Sequence, residues 1–267
     1  MGSERKRARR YALLSGKGGV GKSIITANLA ATLSTFGRRI LVIDADLGLA
    51  SLDVILGITP VSTIQESFRG EQSIEQVLQS TRGFDFVPAA SGLPEGTVLT
   101  ERLTAGVESA IAALEERYDA ILFDAGAGIG DVVMFFAGLA DEIMLVVTPE
   151  PTCLMDTYAT IKVLYHTHGT RDFLLVVNQS GPSPASADAG ERIAAHLQEV
   201  ISSHFESQET DPVRIRLAGS IPVDTAVKHS VMRRRLLGET NPDAPATRAL
   251  TRLAAFIDAA IRNRKTP

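Results

Sequence analysis

Residues 16–23 read GKGGVGKS, and Gly16, Gly21, Lys22 and Ser23 meet the phosphate-loop spacing G-x-x-x-x-G-K-[S/T]. The apolar run 11–14 before it, Tyr-Ala-Leu-Leu, reads as a strand. Residues 24–36 after it carry Ile25, Leu29, Leu33 and Phe36 at helical spacing. Strand, loop and helix in that order are what such a loop requires. Its glycines let backbone N–H groups turn inward around phosphates, and the helix N-terminus adds its positive end. In that setting Lys22 reaches the β- and γ-phosphates and the Ser23 hydroxyl ligates Mg²⁺. The pattern predicts a nucleotide site. A second lysine, Lys17, follows the first glycine. No cation is needed there to cradle phosphates in its own subunit, so Lys17 is a candidate to act elsewhere.

The rest of the chain alternates in the way this loop demands. Short apolar runs at 11–15, 39–44, 84–88, 120–124, 143–148, 173–178 and 215–221 read as strands. Most are continuously apolar, as expected where helices cover both faces of a parallel sheet. Helical patterns lie near 101–117, 154–167, 189–205 and 246–264. The expected fold is α/β: a single-domain, doubly wound, mostly parallel sheet with helices on both faces and ligands at the carboxyl ends of the strands. Residues 1–10 read as a basic tail and 11–267 as one domain ending in an amphipathic helix at 246–264. Segments 180–188 and 206–212 read as surface loops too short to divide two domains, and no internal repeat is visible.

Composition narrows the function. A chain of 267 residues with a net charge of −4 carries no overall field that draws it to DNA or anionic lipid. One cysteine, Cys153, argues against a disulfide framework and against an iron–sulfur cluster. No apolar run approaches the ~20 residues of a membrane span, and MGSERKRARR lacks the apolar core of a signal peptide. Cytoplasm is the expected location.

Two further elements place carboxylates beside the loop. After the second strand comes IDADLGLASLD, with Asp44 and Asp46 two residues apart at a strand end. One carboxylate there orients or deprotonates an attacking water while another holds Mg²⁺ through its waters, although Asp also favours turns and helix caps. Farther on, AILFDAGAG ends an apolar strand in Asp124, a Walker B-like carboxylate. Gly126 and Gly128 then form a loop able to sense a γ-phosphate.

GKGGVGKS with its extra lysine, the Asp44-x-Asp46 pair and the DAGAG loop together resemble the deviant Walker A ATPases of the MinD/ParA family. Within it, DADLGLASLDVILG and TPEPTCLMDTYATIK are similar to the flagellar number and placement regulators of the FlhG/FleN type, with the cell-division regulator MinD next. The resemblance runs from about residue 12 to about residue 260. It implies an ATPase that binds ATP/ADP and Mg²⁺ on Gly16, Lys17, Gly18, Gly19, Val20, Gly21, Lys22, Ser23 and Ile24. It implies an ATP-bound homodimer in which Lys17 reaches the other subunit's phosphates, Asp46 positions the hydrolytic water, Asp44 supports the magnesium site and Asp124 binds the metal indirectly. Asn178 resembles the family's adenine-contacting asparagine, and Pro222 and Asp224 resemble its second base-side loop. Three roles stay open: regulation of flagella or another polar structure, MinD-type division-site selection, and ParA-like cargo positioning on DNA. The acidic balance disfavours the last, and one cysteine disfavours a metal-carrier ATPase.

Some positions depart from the family. Ser23 and Ile24 stand where Thr and a small polar residue are common, Ala125 where Thr or Ser follows the aspartate, and Cys153 where the flagellar branch has Ser. Nothing in residues 1–10 matches the short motif by which such regulators activate a partner GTPase of the signal-recognition-particle type; that GTPase, or another regulator, remains the expected class of partner. In the last helix Leu250, Leu253, Ala254, Ile257 and Ile261 form a stripe with Arg248 and Arg252 facing away, a pattern that fits docking on the core or peripheral contact with a membrane. His166 and His168 do not share a helix face, and the run 233–235 beside Lys228 reads as a solvated basic surface.

Overall fold

The computed structural model describes residues 7–46, 51–68, 71–89, 100–181, 188–205 and 212–263. The expected stretch 47–50 after the aspartate pair, and most of the loops 180–188 and 206–212, lie outside them, as do the two extreme ends of the chain.

Among the described residues eight strands form one sheet in the order β3-β4-β2-β5-β1-β6-β7-β8, where β7 is Asp172–Ser180, parallel throughout except that β3 (Gln79–Thr81) runs antiparallel to β4 (Phe84–Val87). The inner strands β1 (Arg9–Ser15), β2 (Ile40–Ala45), β5 (Ala120–Ala127) and β6 (Glu142–Val147) are buried along nearly their whole length. A strand buried at successive residues has both faces covered, which is why these sequences run apolar without alternation. The helices supply that cover. On one side α1 (Lys22–Thr35) packs against α2 (Leu52–Leu56), α10 (Leu237–Thr240) and α11 (Pro245–Arg262); elsewhere α7 (Pro151–His168) packs against α6 (Asp131–Leu139) and α8 (Ala189–Phe205). Tyr11, Phe86, Phe123, Phe136 and Phe173 are fully buried between sheet and helices, each stabilising the fold by about 1.5–3 kcal/mol.

The sequence missed the short elements. Gln79–Thr81 is polar, and its hairpin turn at Arg82 and Gly83, both with positive φ, lacks the Asn-Gly or Asp-Gly pair that flags such turns. The helices α2, α3 (Ile64–Phe68), α4 (Ile74–Val77) and α10 are too short for a period to show. Helix α6 reads DVVMFFAGL, apolar on every side, and α9 (Thr225–Met232) is marked mainly by its cap. The first strand starts at Arg9, inside the expected tail, because the basic run is paired. The Arg9 guanidinium donates to the Ala260 carbonyl at 2.9 Å and pairs with Glu142; the Arg10 amide donates to Asp141 at 2.8 Å.

The stripe of α11 is docked. Leu250, Leu253, Ala254 and Ile257 are buried, and the helix packs on β8 (Arg214–Pro222) and α1, so Arg248 and Arg252 face outward. Asp258 on the same helix is buried between Arg38, at 2.5 Å, and Arg262. Burial pushes its carboxyl up, but the two guanidiniums hold it below the usual carboxylate range.

Candidate functional site

The central strand β1 is flanked by β5 and β6, and the chain leaves it toward β2 on one side and reaches β6 on the other. Its carboxyl end is therefore a switch point of the sheet, where the connections diverge and open a crevice. Residues 16–21 line that end.

Each part of the loop has a local cause. Gly16 packs on α7: a Cβ there would lie 2.4 Å from the Asp156 carbonyl carbon and 2.5 Å from its oxygen. Gly21 caps α1 with φ 94°, a left-handed conformation open to glycine. Val20 is buried, and its carbonyl accepts a 2.7 Å bond from Asn178 Nδ2. The Ser15 hydroxyl donates to the Lys17 carbonyl at 2.8 Å, and the Gly128 amide donates to the Ser15 carbonyl at 2.9 Å, tying the loop to the glycine-rich segment after β5. Gly18 and Gly19 have open space where side chains would stand. Lys22 is buried and Ile24 half-buried on the first turn of α1.

The carboxylates meet beside this loop because β2 and β5 are neighbours in register, with Asp44 opposite Asp124. Both are 1 % exposed. Burial first, and then the Asp124 charge, push the Asp44 carboxyl well above its ordinary range, although amides of Asp46 and Leu52 donate to it. Burial also raises Asp124, against the opposing pull of Lys22 and of hydroxyl donors Ser23 and Thr26. Thr26 Oγ1 lies 2.8 Å from Asp124 Oδ1. Asp46 is half-buried next to Gly126, with Oδ1 3.5 Å from where a Cβ on that glycine would be. Two repelling, desolvated carboxylates beside a serine hydroxyl form a hard-oxygen set that fits a divalent cation such as Mg²⁺. Among the described residues no group of three or more His, Cys, Asp or Glu could hold a metal. The remaining ligands in this set must come from water and a bound phosphate, as Mg²⁺ prefers.

Lys17 is engaged with the start of α7. Its Nζ lies 2.6 Å from Glu150 and 3.3 Å from the Thr152 hydroxyl, at the start of α7, and the Glu150 bond and charge raise its pKa. Asp224 is spent on structure: one oxygen accepts from the Ala226 amide at 2.9 Å and the other from Ala246 at 3.0 Å, capping α9 and α11 together. Pro222 ends β8. Cys153 is buried, its sulfur accepting from the Thr148 amide at 3.3 Å. Ala125 is buried. Arg233–Arg235 are exposed, with Arg235 paired to Glu239.

Sequence reasoning did not find Thr26, Glu150 or Thr152. Thr26 had a signal, since it stands four residues after Lys22 and three after Ser23 on one helix face. Glu150 and Thr152 lie in the TPEPTCLMDTYATIK string, but nothing in it ties them to Lys17, because only the fold brings the end of β6 to the loop.

A profile of the ParA family, described as NUBPL iron-transfer P-loop NTPase, matches residues 7–258. The chain belongs to the MinD/ParA family of P-loop ATPases. Within that family it is FlhG/FleN-like. It is 36% identical over 248 residues to the antiactivator FleN of Pseudomonas aeruginosa, a match covering 92% of this chain and 85% of that protein. It is 30% identical over 252 residues to the flagellum site-determining protein YlxH of Helicobacter pylori, covering 92% and 80%. Among solved structures it resembles the septum site-determining protein MinD of Pyrococcus horikoshii, complexed with Mg-ADP. That match has a TM-score of 0.75 and 26% identity, and covers 97% of this chain and all of that one.

Proposed function

We propose that this chain is an ATP-driven dimerising switch that regulates the site or number of flagella or another polar structure. The observation that carries the reading is the meeting of Lys17, Lys22, Asp44, Asp46 and Asp124 around one loop, in a chain 36% identical to FleN over most of its length. ATP is the substrate. Backbone amides of residues 16–21 and the Lys22 ammonium bind its phosphates, with Ile24 closing the first helical turn behind them. Ser23 and Asp44 hold Mg²⁺, with Asp124 acting on it through water. The ion, when bound, neutralises charge on the phosphate oxygens. Asp46 orients the attacking water and takes its proton as the water oxygen bonds to the γ-phosphorus and the bond to the β-bridging oxygen breaks, leaving ADP and phosphate. Asn178, fixed on Val20, borders the base together with the segment at Pro222, which Asp224 braces through its two caps. Lys17 leaves Glu150 and reaches the phosphates of a second subunit, so the extra positive charge is present only in the dimer. Iron transfer, part of the family profile's description, is no part of the function proposed, because the one cysteine of the chain is buried.

Solution mass by light scattering with ADP and with ATP tests the reading in wild type, Asp46→Ala and Lys17→Ala. A dimer only with ATP, trapped by Asp46→Ala and lost in Lys17→Ala, supports it; a mass indifferent to nucleotide refutes it. The match to MinD over 97% of the chain favours division-site regulation as the second reading. Flagellar number against septum position in a deletion strain separates the two. No helix among the described residues is long and apolar enough to cross a membrane, and the contact proposed at a pole or inner membrane is peripheral. With the α11 stripe docked, that contact needs another surface or release of the helix, and pelleting with anionic vesicles reads it directly.

A further inference from the structure

We infer that Thr26 is the positioning residue for Asp124, fixing the carboxylate in the orientation in which it serves Mg²⁺; the inference rests on the switch reading above. Thr26 is fully buried one turn into α1. Its hydroxyl lies 2.8 Å from Asp124 Oδ1 and 3.1 Å from the Lys22 carbonyl oxygen. A hydroxyl has a single proton to donate. The closer acceptor here is also the charged one, and a bond to a carboxylate is roughly twice as strong as one between neutral groups. The proton therefore goes to Asp124, and the bond back to its own helix is the weaker alternative.

Asp124 needs such a partner. It is 1 % exposed inside β5, which runs on past the expected strand end to Ala127, so water does not fix its rotation about the Cβ–Cγ bond. Ser23 also donates to it, but the Ser23 oxygen is the loop hydroxyl assigned to the metal. Lys22 contributes charge without a fixed direction. Thr26 is the donor with no other duty in the site, and of the two rotamers a helical threonine adopts it takes the one that sets Oγ1 beside both the Lys22 carbonyl and Asp124. The same helical turn thus presents Lys22 to the phosphates, Ser23 to the metal and Thr26 to the carboxylate behind it. Outer partners of this kind typically carry 10–100-fold of metal affinity.

The test is the Mg²⁺ dependence of the ATP-driven dimer by light scattering, with affinity for a fluorescent ATP analogue measured separately in EDTA. Thr26→Val keeps the shape and removes the donor, so the Mg²⁺ midpoint should rise about 10–100-fold while metal-free nucleotide affinity stays within about twofold. Thr26→Ser, which restores the hydroxyl, should return the midpoint to within about threefold of wild type. If Thr26→Val fails to fold by circular dichroism, Thr26→Ala against Thr26→Ser makes the same comparison. An unchanged midpoint in a folded donor-less variant, an equal shift in Thr26→Ser, or a parallel loss of metal-free affinity would each overturn the role. A wild type whose dimer ignores Mg²⁺ would overturn the switch reading and this one with it. A normal wild-type response beside an unmoved Thr26→Val removes this one alone.

Discussion

Replacing Gly16 by alanine should cost far more than the same change at Gly18, two residues along the same loop. At Gly16 the added Cβ would meet the Asp156 carbonyl carbon at 2.4 Å, its oxygen at 2.5 Å and its Cβ at 2.7 Å. Ordinary carbon contacts begin near 3.5 Å, so roughly 1 Å of overlap must be relieved. The atoms in the way belong to the backbone of α7, which cannot rotate aside as a side chain would. Overpacking of this kind costs about 1–3 kcal/mol and sometimes more, and a backbone obstacle places Gly16→Ala near the upper end. At about 2–4 °C per kcal/mol for a chain of this size, the melting temperature should fall by roughly 6–12 °C. At Gly18 nothing lies within 4 Å of the new atom and φ is not left-handed. Its effect on stability should stay within about 0.5 kcal/mol. Thermal melts followed by circular dichroism, without nucleotide and in EDTA, compare the two variants directly. Moving α7 also moves Glu150 and Thr152, so Gly16→Ala should loosen Lys17 as well. A Gly16→Ala protein that melts within about 2 °C of wild type would show that α7 adapts freely, and the argument from close approach would fail.

Asp44→Asn should stabilise the metal-free protein increasingly as pH rises. Burial and the neighbouring Asp124 raise the Asp44 pKa, so above the unfolded value of 3.8 the folded state retains a proton the unfolded state has lost, and stability drains until the folded value is passed. Melts of variant and wild type between about pH 4 and pH 8 in EDTA should therefore diverge, whereas a constant difference would contradict the shift. Glu150→Gln removes the carboxylate that holds Lys17, so the ATP concentration for half-maximal dimer should fall about two- to fivefold, with less dependence on salt. An unchanged or higher ATP requirement would mean that this pair does not restrain the lysine. Tyr118→Phe deletes a 2.6 Å bond to Asp85 and should cost about 1–2 kcal/mol in chemical denaturation. ATP affinity should be unaffected, since Tyr118 precedes β5 at the end of the sheet opposite the loop.

Elements that declare themselves within a few consecutive residues were legible in the sequence. The buried strands show as unbroken apolar runs because both their faces are covered, and α8 and α11 show because one face of each is wet. Boundaries slipped where pairing decided them. Arg9 and Arg10 look like a solvated tail until Glu142, Asp141 and the Ala260 carbonyl are brought beside them. The same holds for Asp224. Its spacing after Pro222 resembles a base-side loop, and both carboxylate oxygens also cap helices, one accepting from Ala226 and the other from Ala246, 22 residues beyond Asp224.

The spacing also marks Lys17 as a candidate to act outside its own phosphate cradle, but not what holds it in the single subunit. The fold answers with Glu150, 133 residues away in sequence and 2.6 Å away in space. It also places Asp44 opposite Asp124 in register, where neighbouring strands lie about 4.8 Å apart. If both were ionised, their repulsion at an effective dielectric near 20 would be about 3 kcal/mol. Such a pair resists full ionisation in the free protein and gains from any cation set between or beside it. The two observations describe one tension from two sides. In the subunit alone, negative charge is crowded at Asp44 and Asp124, and the Lys17 charge is held by Glu150. Binding of Mg²⁺ and nucleotide relieves the first within the chain. On the proposed switch, association would relieve the second, with Lys17 exchanging Glu150 for a phosphate across the interface. The asymmetry makes nucleotide binding and dimer formation separable steps, so variants at Asp44 or Thr26 should fail at the metal, and variants at Lys17 or Glu150 at the interface.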